Sequence, residues 1–302
     1  MNILLIGTSN TAEDPDVYYD QYKDFFDRSL KSAGDNGSTV LFTLIDDLFI
    51  AVGDDSFMVR DLKSDKDLTE FDAILIRAKG LRNYFDVVKA ISAYANLHGI
   101  AVVNDYSEFR NSSKLTQAVQ FFLADMSVAT SVFASKGVLE GKIQLPFTFP
   151  CVMKANFGAH GNDNYLVKSI EEARDIASNN IGKNFVLQRF VPNDGDYRIL
   201  VAGNETLVIR RKAVGGSHLN NTSQGGAAEL VDMAELPASV VQDAHRIAKV
   251  LSMKIAGVDA LADSITGEFY FLEVNSQPQL MSGAFMDEKV ALIGRYLTSL
   301  TR

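Results

Sequence analysis

Between residues 2 and 105, short aliphatic runs alternate with amphipathic stretches, and this alternation restricts the fold more than any other feature of the chain. "NILLIGT" (2–8), "TVLFTLI" (39–45), "FDAILIRA" (71–78) and "GIAVVND" (99–105) are short and continuously apolar, and read as buried strands. Helix-spaced residues lie between them: Phe25, Phe26 and Leu30 in a segment over 18–33 that stops at Gly34, then a second helical stretch over 84–98. A hairpin is expected around 49–60. Alternation of this kind predicts a mostly parallel sheet with helices on its faces, so residues 1–105 read as one small α/β domain. Gly7 is not followed by a G-x-G-x-x-G pattern, which argues against a dinucleotide fold. The acidic, tyrosine-rich stretch "TSNTAEDPDVYYDQY" (8–22) reads as a solvated loop entering a helix; a part in substrate binding is the other reading.

The texture changes after residue 105. "SSKLTQAVQFFLADM" predicts a helix with a serine cap, "SVATSVFA" a strand, and "FPCVMKA" and "NYLVKS" two strands flanking the Gly/Asn-rich "NFGAHGNDN". "SIEEARDIA" predicts a helix opened by Ser169, whose early acidic residues suit the helix dipole. "NFVLQRFV" reads as a strand, and "DYRILVAG" with "ETLVIRRKA" as a strand pair joined by a Gly-Asn turn. A helix over "SVVQDAHRIAKVLSM", a hairpin of "KIAGVDALAD" with "GEFYFLEVN", and a closing helix "DEKVALIGRYLTSL" complete the chain. This later part is α+β and rich in antiparallel pairs.

A length of 302 residues suggests two or three packed units. The net charge of −9 argues against a general grip on nucleic acid or anionic membrane, which needs a basic surface. The single cysteine, Cys151, excludes an intrachain disulfide and sits in an apolar stretch that suggests a core thiol. "MNILLIGTSN" has neither a basic n-region nor a cleavage site, and no apolar stretch approaches the roughly 18 residues of a membrane span. A soluble, cytoplasmic protein is the expectation.

Chemistry enters with the second hairpin. In a strand, residues two apart share a face, so Glu273 and Asn275 project together at the end of an apolar run. A buried carboxylate is costly unless it is paired or binds a metal. The turn "DSITG" brings Asp259 alongside, so three oxygen-bearing side chains can converge. Hard oxygen ligands of this sort suit Mg²⁺ shared with substrate phosphates. The competing reading makes Glu273 a salt-bridge partner and Asn275 a turn cap. Lys114 and Lys154 lie in separate segments, the second at the end of an apolar strand where an ammonium needs an anion. Gly158 and Gly161 allow a backbone to approach phosphate oxygens, although a plain hairpin loop would also use them. Arg210, Arg211 and Lys212 form a basic strand end, either a solvated run or part of a Mg-nucleotide site, and "NNTSQGGAAEL" follows as a backbone-rich segment able to close over a ligand. The histidines His98, His160, His218 and His245 are too scattered to suggest zinc. No G-x-S-x-G nucleophile motif is present.

The order of these pieces resembles the ATP-grasp superfamily: a lysine, a lysine with a glycine loop, "VLQRFV", "DYR", a basic strand end, "NNTSQGGA", "GVDAL" and "LEVNSQP". Within it the chain is most similar to the RimK-like amino-acid ligases and, more loosely, to glutathione synthetase. The resemblance covers roughly residues 104–300. It implies an α/β N-terminal domain (1–105) followed by an α+β ATP-grasp fold (106–302), divided into a nucleotide-covering subdomain (106–187) and a metal and catalytic subdomain (188–302).

Carried over by position, the resemblance assigns Lys114 and Lys154 to the nucleotide phosphates and adenine pocket, with Gly158, His160 and Gly161 in the phosphate loop. Gln188, Arg189, Phe190 and Val191 become the hinge at adenine, and Asp196 falls near the nucleotide or the acceptor entrance. Arg211, or its neighbour Arg210, would stabilise the transferred phosphoryl group, and Asn221 matches the asparagine before the "GGA" turn. Asp259, Glu273 and Asn275 match the metal ligands. The implied cofactors are ATP and two Mg²⁺ ions, replaceable by Mn²⁺.

The implied chemistry joins a small-molecule or peptide carboxylate to an amine through an acyl phosphate, releasing ADP and phosphate. Other acceptors (a thiol, or a ribosomal peptide being modified) and a non-catalytic nucleotide-binding module are the alternatives. Retention of all three oxygen ligands argues against the last. By analogy such ligases are often dimers or tetramers, which makes a homo-oligomer an expectation of the resemblance alone. The substrate side departs from the family pattern. The hinge has Arg189 in place of the usual acidic residue, and arginines common near the "GGA" turn are replaced by Leu219 and Gln224.

Overall fold

The computed structural model describes residues 1–11, 14–77, 80–107, 113–158, 163–212 and 227–300. Strand β1 (Asn2–Gly7), helix α1 (Pro15–Ser32), strands β2 (Thr39–Leu44), β3 (Leu48–Val52), β4 (Phe57–Asp61), β5 (Lys66–Asp67) and β6 (Ala73–Ile76), helix α2 (Phe85–Leu97) and strand β7 (Ala101–Val103) come first. The aliphatic runs pair in parallel, in the order β2-β1-β6-β7, as the alternation requires. The expected hairpin over 49–60 is β3 with β4, extended by β5 into a separate three-stranded sheet. Helix α1 begins where Asp14 accepts the Asp16 N–H at 2.9 Å and Pro15 presets the first turn. Its Tyr19, Tyr22, Phe25, Phe26 and Leu30 face inward.

Helix α3 (Lys114–Leu123), strand β8 (Ser131–Phe133), the short helix α4 (Lys136–Leu139), strands β9 (Cys151–Ala155) and β10 (Asn164–Val167), helix α5 (Ile170–Ser178) and strand β11 (Phe185–Arg189) follow. The strands make an antiparallel sheet in the order β10-β9-β11-β8 with a core of its own, in which Cys151, Met153 and Leu187 are buried. Burial pushes the Cys151 thiol up to about 11, in keeping with a core residue. Both expected serine caps are present: Ser113 accepts from the Thr116 N–H at 3.2 Å, and Ser169 from the Glu172 N–H at 3.3 Å. "SVATSVFA" forms a strand over Ser131–Phe133, and Val128 makes a separate bridge to Phe271.

Strands β12 (Asp196–Ala202), β13 (Glu205–Lys212) and β14 (Ala227–Val231), helix α6 (Ala238–Val250), strands β15 (Ile255–Ala262) and β16 (Phe269–Asn275), and helix α7 (Met286–Ser299) complete the chain. The sheet order is β14-β13-β12-β15-β16, all antiparallel, with β16 at an edge. One face carries Ile199, Val201, Val258 and Ala260 into a core shared with α2, α6 and the N-terminal sheet. On the other face Leu200 and Ile255 join α1 and α7 in a second core. Asn104, just past β7, locks these regions together. It donates to the Ile255 and Ser276 carbonyls at 2.8 Å each and accepts the Lys254 and Ile255 N–H groups at 2.8 and 2.7 Å. Among the described residues, no helix is long and apolar enough to cross a membrane.

Candidate active site

Cross-strand register builds the site. Arg198 on β12 stands opposite Asp259 on β15, and Asp259 stands opposite Glu273 on β16. Asp196 faces Arg211 on β13. Because directly paired residues share a sheet face, these charges form a grid on one surface, with Arg211 beside Asp196, Arg198 beside Asp259, and Glu273 as a second carboxylate next to Asp259. The ladder shifts between Asp259 and Ala260, where Glu273 pairs with the first and Phe271 with the second. Leu272 is the extra residue of a bulge, a device that re-aims neighbouring side chains.

Asp259 is 5% exposed and held by two guanidinium groups. Arg198 grips both of its oxygens, with Nη2 at 2.8 Å from Oδ2 and Nε bonded to Oδ1, while Arg211 Nη2 lies 3.2 Å from Oδ1. Burial alone would push its carboxyl up; the two arginines outweigh that and hold it below the ordinary range. Arg211 also forms a two-pronged pair with Asp196, Nε to Oδ1 and Nη2 to Oδ2, both at 2.7 Å. Desolvation lifts the Asp196 carboxyl to about 6 against the pull of Arg211. Asp196 therefore positions Arg211.

Two glycines make room for this network. A Cβ on Gly257 would lie 3.0 Å from Pro278 Cβ and 3.1 Å from Arg198 Cδ. Gly195 has φ +145°, and a Cβ there would meet the Arg211 carbonyl oxygen at 2.5 Å.

Glu273 and Asn275 share a face and touch, the Asn275 amide donating to Glu273 Oε1 at 3.3 Å. Both are half-buried at the sheet edge. Lys114 reaches Glu273 Oε2 at 3.3 Å and donates to the Gly158 carbonyl at 3.2 Å. The start of α3 is tied to the end of β9, where Asn156 accepts the Lys114 N–H through its carbonyl and the Leu115 N–H through its side chain, both at 3.0 Å. Lys154 donates to Gln188 Oε1 at 2.8 Å, and Gln188 donates in turn to Ser131 at 3.0 Å. Desolvation pulls the Lys154 ammonium down to about 8, against the field of Glu273 and with that of Lys114. The smaller sheet thus presents Lys154 and Gln188 to the carboxylates of the larger one.

Most of the sequence-derived residues meet here: Lys114, Lys154, Gly158, Gln188, Asp196, Arg211, Asp259, Glu273 and Asn275. Arg210 does not. It lies on the opposite face of β13, paired with Asp194 at 2.6 Å and Glu229 at 3.3 Å, with its guanidinium 5.7 Å from the Tyr197 ring centre. Arg189 closes β11 and lays its guanidinium 4.8 Å from the Tyr270 ring centre, while Phe190 and Val191 begin the connection to β12. His160, Gly161 and Asn221 fall outside the described residues, as do Leu219 and Gln224.

Sequence reasoning gave no role to four residues. Arg198 was in view as the arginine of "DYR", two after Asp196 on one strand face. Gln117 had a weak signal, one helical turn after Lys114. Asn104 and Lys289 had none.

Among the described residues, no group of three or more His, Cys, Asp or Glu side chains is placed to hold a metal ion. The donor set of Asp259, Glu273 and Asn275 is two carboxylates and one amide, short of a closed protein cage. It fits Mg²⁺, which binds through one or two carboxylates and completes its shell with water and phosphate. Glu273 faces the Lys114 ammonium at 3.3 Å, and Asp259 is held by the Arg198 and Arg211 guanidinium groups.

Comparison with known proteins adds family evidence. The family model described as "RimK-like ATP-grasp domain" matches residues 123–299. A probable alpha-L-glutamate ligase of Picosynechococcus sp. is 24% identical over 225 residues, spanning 68% of this chain and 73% of its own length. A tetrahydromethanopterin:alpha-L-glutamate ligase of Methanosarcina acetivorans is 25% identical over 217 residues, or 64% of each chain. Among solved structures, the ATP-grasp ligase PsnB complexed with a minimal precursor superposes with a TM-score of 0.70 at 14% identity, covering 99% of both chains. That likeness is one of fold.

Proposed function

The chain belongs to the RimK-like ATP-grasp family of carboxylate–amine ligases, and from that premise we propose that it joins a carboxylate to an amine at the expense of ATP, releasing ADP and phosphate. The observation that carries this reading is the charge grid itself: Asp259 and Glu273 in cross-strand register, with Lys114 and Lys154 converging from separate elements. A site with converging ammonium and guanidinium groups suits phosphoryl transfer, which asks a protein for positioning and charge stabilisation.

In the first step an oxygen of the substrate carboxylate attacks the γ-phosphorus of ATP. The bond from that phosphorus to the β–γ bridging oxygen breaks, and ADP leaves. In the second step the amine nitrogen attacks the acyl carbon of the mixed anhydride, and the carbon–oxygen bond breaks to release phosphate. The amine proton passes to solvent or phosphate.

Lys154 and Lys114 neutralise the nucleotide phosphates, and Gln188 orients Lys154. Asp196 and Asp259 hold Arg211 where negative charge develops on the transferred group. The hinge over Gln188–Val191 supplies backbone groups to adenine. Asp259, Glu273 and Asn275 would hold Mg²⁺, two ions with Mn²⁺ as a substitute, which would supply charge neutralisation at the phosphates. In this reading residues 106–187 cover the nucleotide, residues 188–302 carry the metal and catalytic groups, and the enzyme works in the cytoplasm.

The test is mass spectrometry of nucleotides and new conjugates after incubation with Mg-ATP and pooled amino acids, short peptides and metabolites. ADP together with a condensation product supports the proposal. AMP with pyrophosphate, or a thioester or ester product, overturns it.

A further inference from the structure

The hairpin that carries Asp259, Glu273 and Asn275 runs out of strand pairing just where its last side chain is needed. The β15–β16 ladder ends at the Gly257–Asn275 pair, and β16 is an edge strand. The next three residues are instead bonded in succession to the N-terminal domain, to partners 171 to 201 positions away in sequence. The Ser276 carbonyl accepts from Asn104 at 2.8 Å. The Gln277 amide donates to the Ile76 carbonyl at 3.0 Å and to the Tyr106 hydroxyl at 2.8 Å. The Pro278 carbonyl accepts from Arg77 Nη2 at 2.7 Å. Further on, Lys289 of α7 donates to the Ser282 carbonyl at 2.8 Å, so the segment is also held at its far end.

Arg77 is the unusual member of this set. It directly follows β6 and is 6% exposed. Its backbone N–H donates to the Ile6 carbonyl at 3.0 Å, which seats it on the parallel sheet. Tyr22 of α1 steadies its guanidinium, with the ring centre 5.2 Å away and the hydroxyl 3.3 Å from Nη2. No carboxylate among the described residues pairs with Arg77, and its Nε has no hydrogen-bond partner. A buried guanidinium matched this poorly is costly, and stability alone would favour an apolar side chain of similar size. What the charge secures is a short, charge-assisted bond to the Pro278 carbonyl. Pro278 is buried, and its Cβ shares with Arg198 Cδ the narrow space beside Gly257. Its placement therefore bears on the site twice: along the chain on Asn275, three residues earlier, and by packing on Arg198, which grips Asp259.

We infer that Arg77 is a positioning residue for the metal and nucleotide site: the N-terminal domain, through Arg77 and Gln277, sets where Glu273 and Asn275 stand for Mg²⁺. The inference rests on the ligase reading and deepens it. It gives the N-terminal domain a part in metal binding although that domain contributes no side chain to the charge grid.

Calorimetric titration of the full chain with ADP, across a series of Mg²⁺ concentrations, tests this without turnover. In wild type Mg²⁺ strengthens ADP binding with a defined midpoint. Arg77→Met, unbranched and uncharged, is expected to raise that midpoint about tenfold, the low end of what supports of metal ligands contribute. Its ADP affinity without Mg²⁺ stays at the wild-type value. Arg77→Lys, which keeps a donor for Pro278, recovers part of the shift. A purely structural role would lower the unfolding temperature and leave the midpoint alone. Because Arg77 occupies a core position, Gln277→Met on the half-buried segment is the second route, with a shift in the same direction. A wild-type midpoint in folded Arg77→Met, or in Gln277→Met should the first not fold, overturns the inference. So do equal losses of ADP affinity with and without Mg²⁺. Wild-type binding of ADP that ignores Mg²⁺ would instead overturn the metal–nucleotide reading, so the two failures are separable.

Discussion

The side chain of Gln117 on α3 exchanges two hydrogen bonds with the backbone of Val274 on β16, donating to its carbonyl at 3.2 Å and accepting its N–H at 2.7 Å. Val274 lies between Glu273 and Asn275, and Gln117 lies one turn after Lys114. The helix that supplies the ammonium is thereby registered against the strand that supplies the carboxylate and the amide. Gln117 also satisfies an edge strand that would otherwise bury unpaired backbone groups. Gln117→Leu is expected to cost about 1–3 kcal/mol of stability in urea unfolding and to weaken nucleotide binding. Lys114→Ala is expected to weaken nucleotide binding with little loss of stability. Equal stability of Gln117→Leu and wild type would contradict the clamp.

Arg210 and Arg211 are sequence neighbours with opposite fates. Arg211→Ala leaves Asp196 and part of Asp259 as unmatched buried charge, and is expected to destabilise by about 3–5 kcal/mol and abolish turnover. Arg210→Ala breaks half-exposed pairs and should stay within about 1 kcal/mol of wild type with activity retained. Thermal unfolding with a turnover assay distinguishes them, and comparable losses for both would mean that the wrong face of β13 has been assigned.

A Cβ at residue 257 would crowd Pro278 Cβ at 3.0 Å and Arg198 Cδ at 3.1 Å, so a neighbour must give by a few tenths of an ångström. Gly257→Ala should disturb the Arg198–Asp259 pair and cost about 1 kcal/mol, the low end of the range for overpacking. Nucleotide-linked turnover should fall with it. A variant of wild-type stability and activity would show that Arg198 has freedom the packing does not suggest.

Lys154 gives the site a basic limb in pH. Its ammonium, pulled down to about 8, is the charged form below that value and the neutral form above it. If the cation binds phosphate, ATP affinity holds to about pH 8 and then falls, by up to about tenfold per pH unit. Lys154→Arg, which stays charged, should flatten the profile. A wild-type affinity that is constant from pH 7 to 9.5 would remove Lys154 from phosphate binding.

Much of this fold was legible because its signals are local. Continuous apolar runs and period-3.6 patterns marked the parallel sheet and its helices, and Ser113 and Ser169 announced their helices through capping chemistry. Strand β14 was missed because "AAELV" has only exposed and half-buried positions, and it exists through pairing with β13. Within the site, Glu273 and Asn275 were readable from spacing alone. The choice between Arg210 and Arg211 was not, since it depends on which face of β13 lies on the side of the sheet that carries Asp196 and Asp259. Asn104 and Lys289 were invisible for a different reason. The partners of Asn104 lie 150 or more residues away, and the burial of Lys289 depends on the packing of α7 against the sheet.

The central claim is that the Asp259–Glu273 face is a magnesium–nucleotide site. Isothermal calorimetry of ATP binding, with and without Mg²⁺, on wild type and Glu273→Ala tests it most directly. Tight, Mg²⁺-dependent binding by wild type that loses its Mg²⁺ dependence in Glu273→Ala is the predicted result. Binding that is indifferent to Mg²⁺ in wild type, or equally Mg²⁺-dependent in the folded variant, would contradict it.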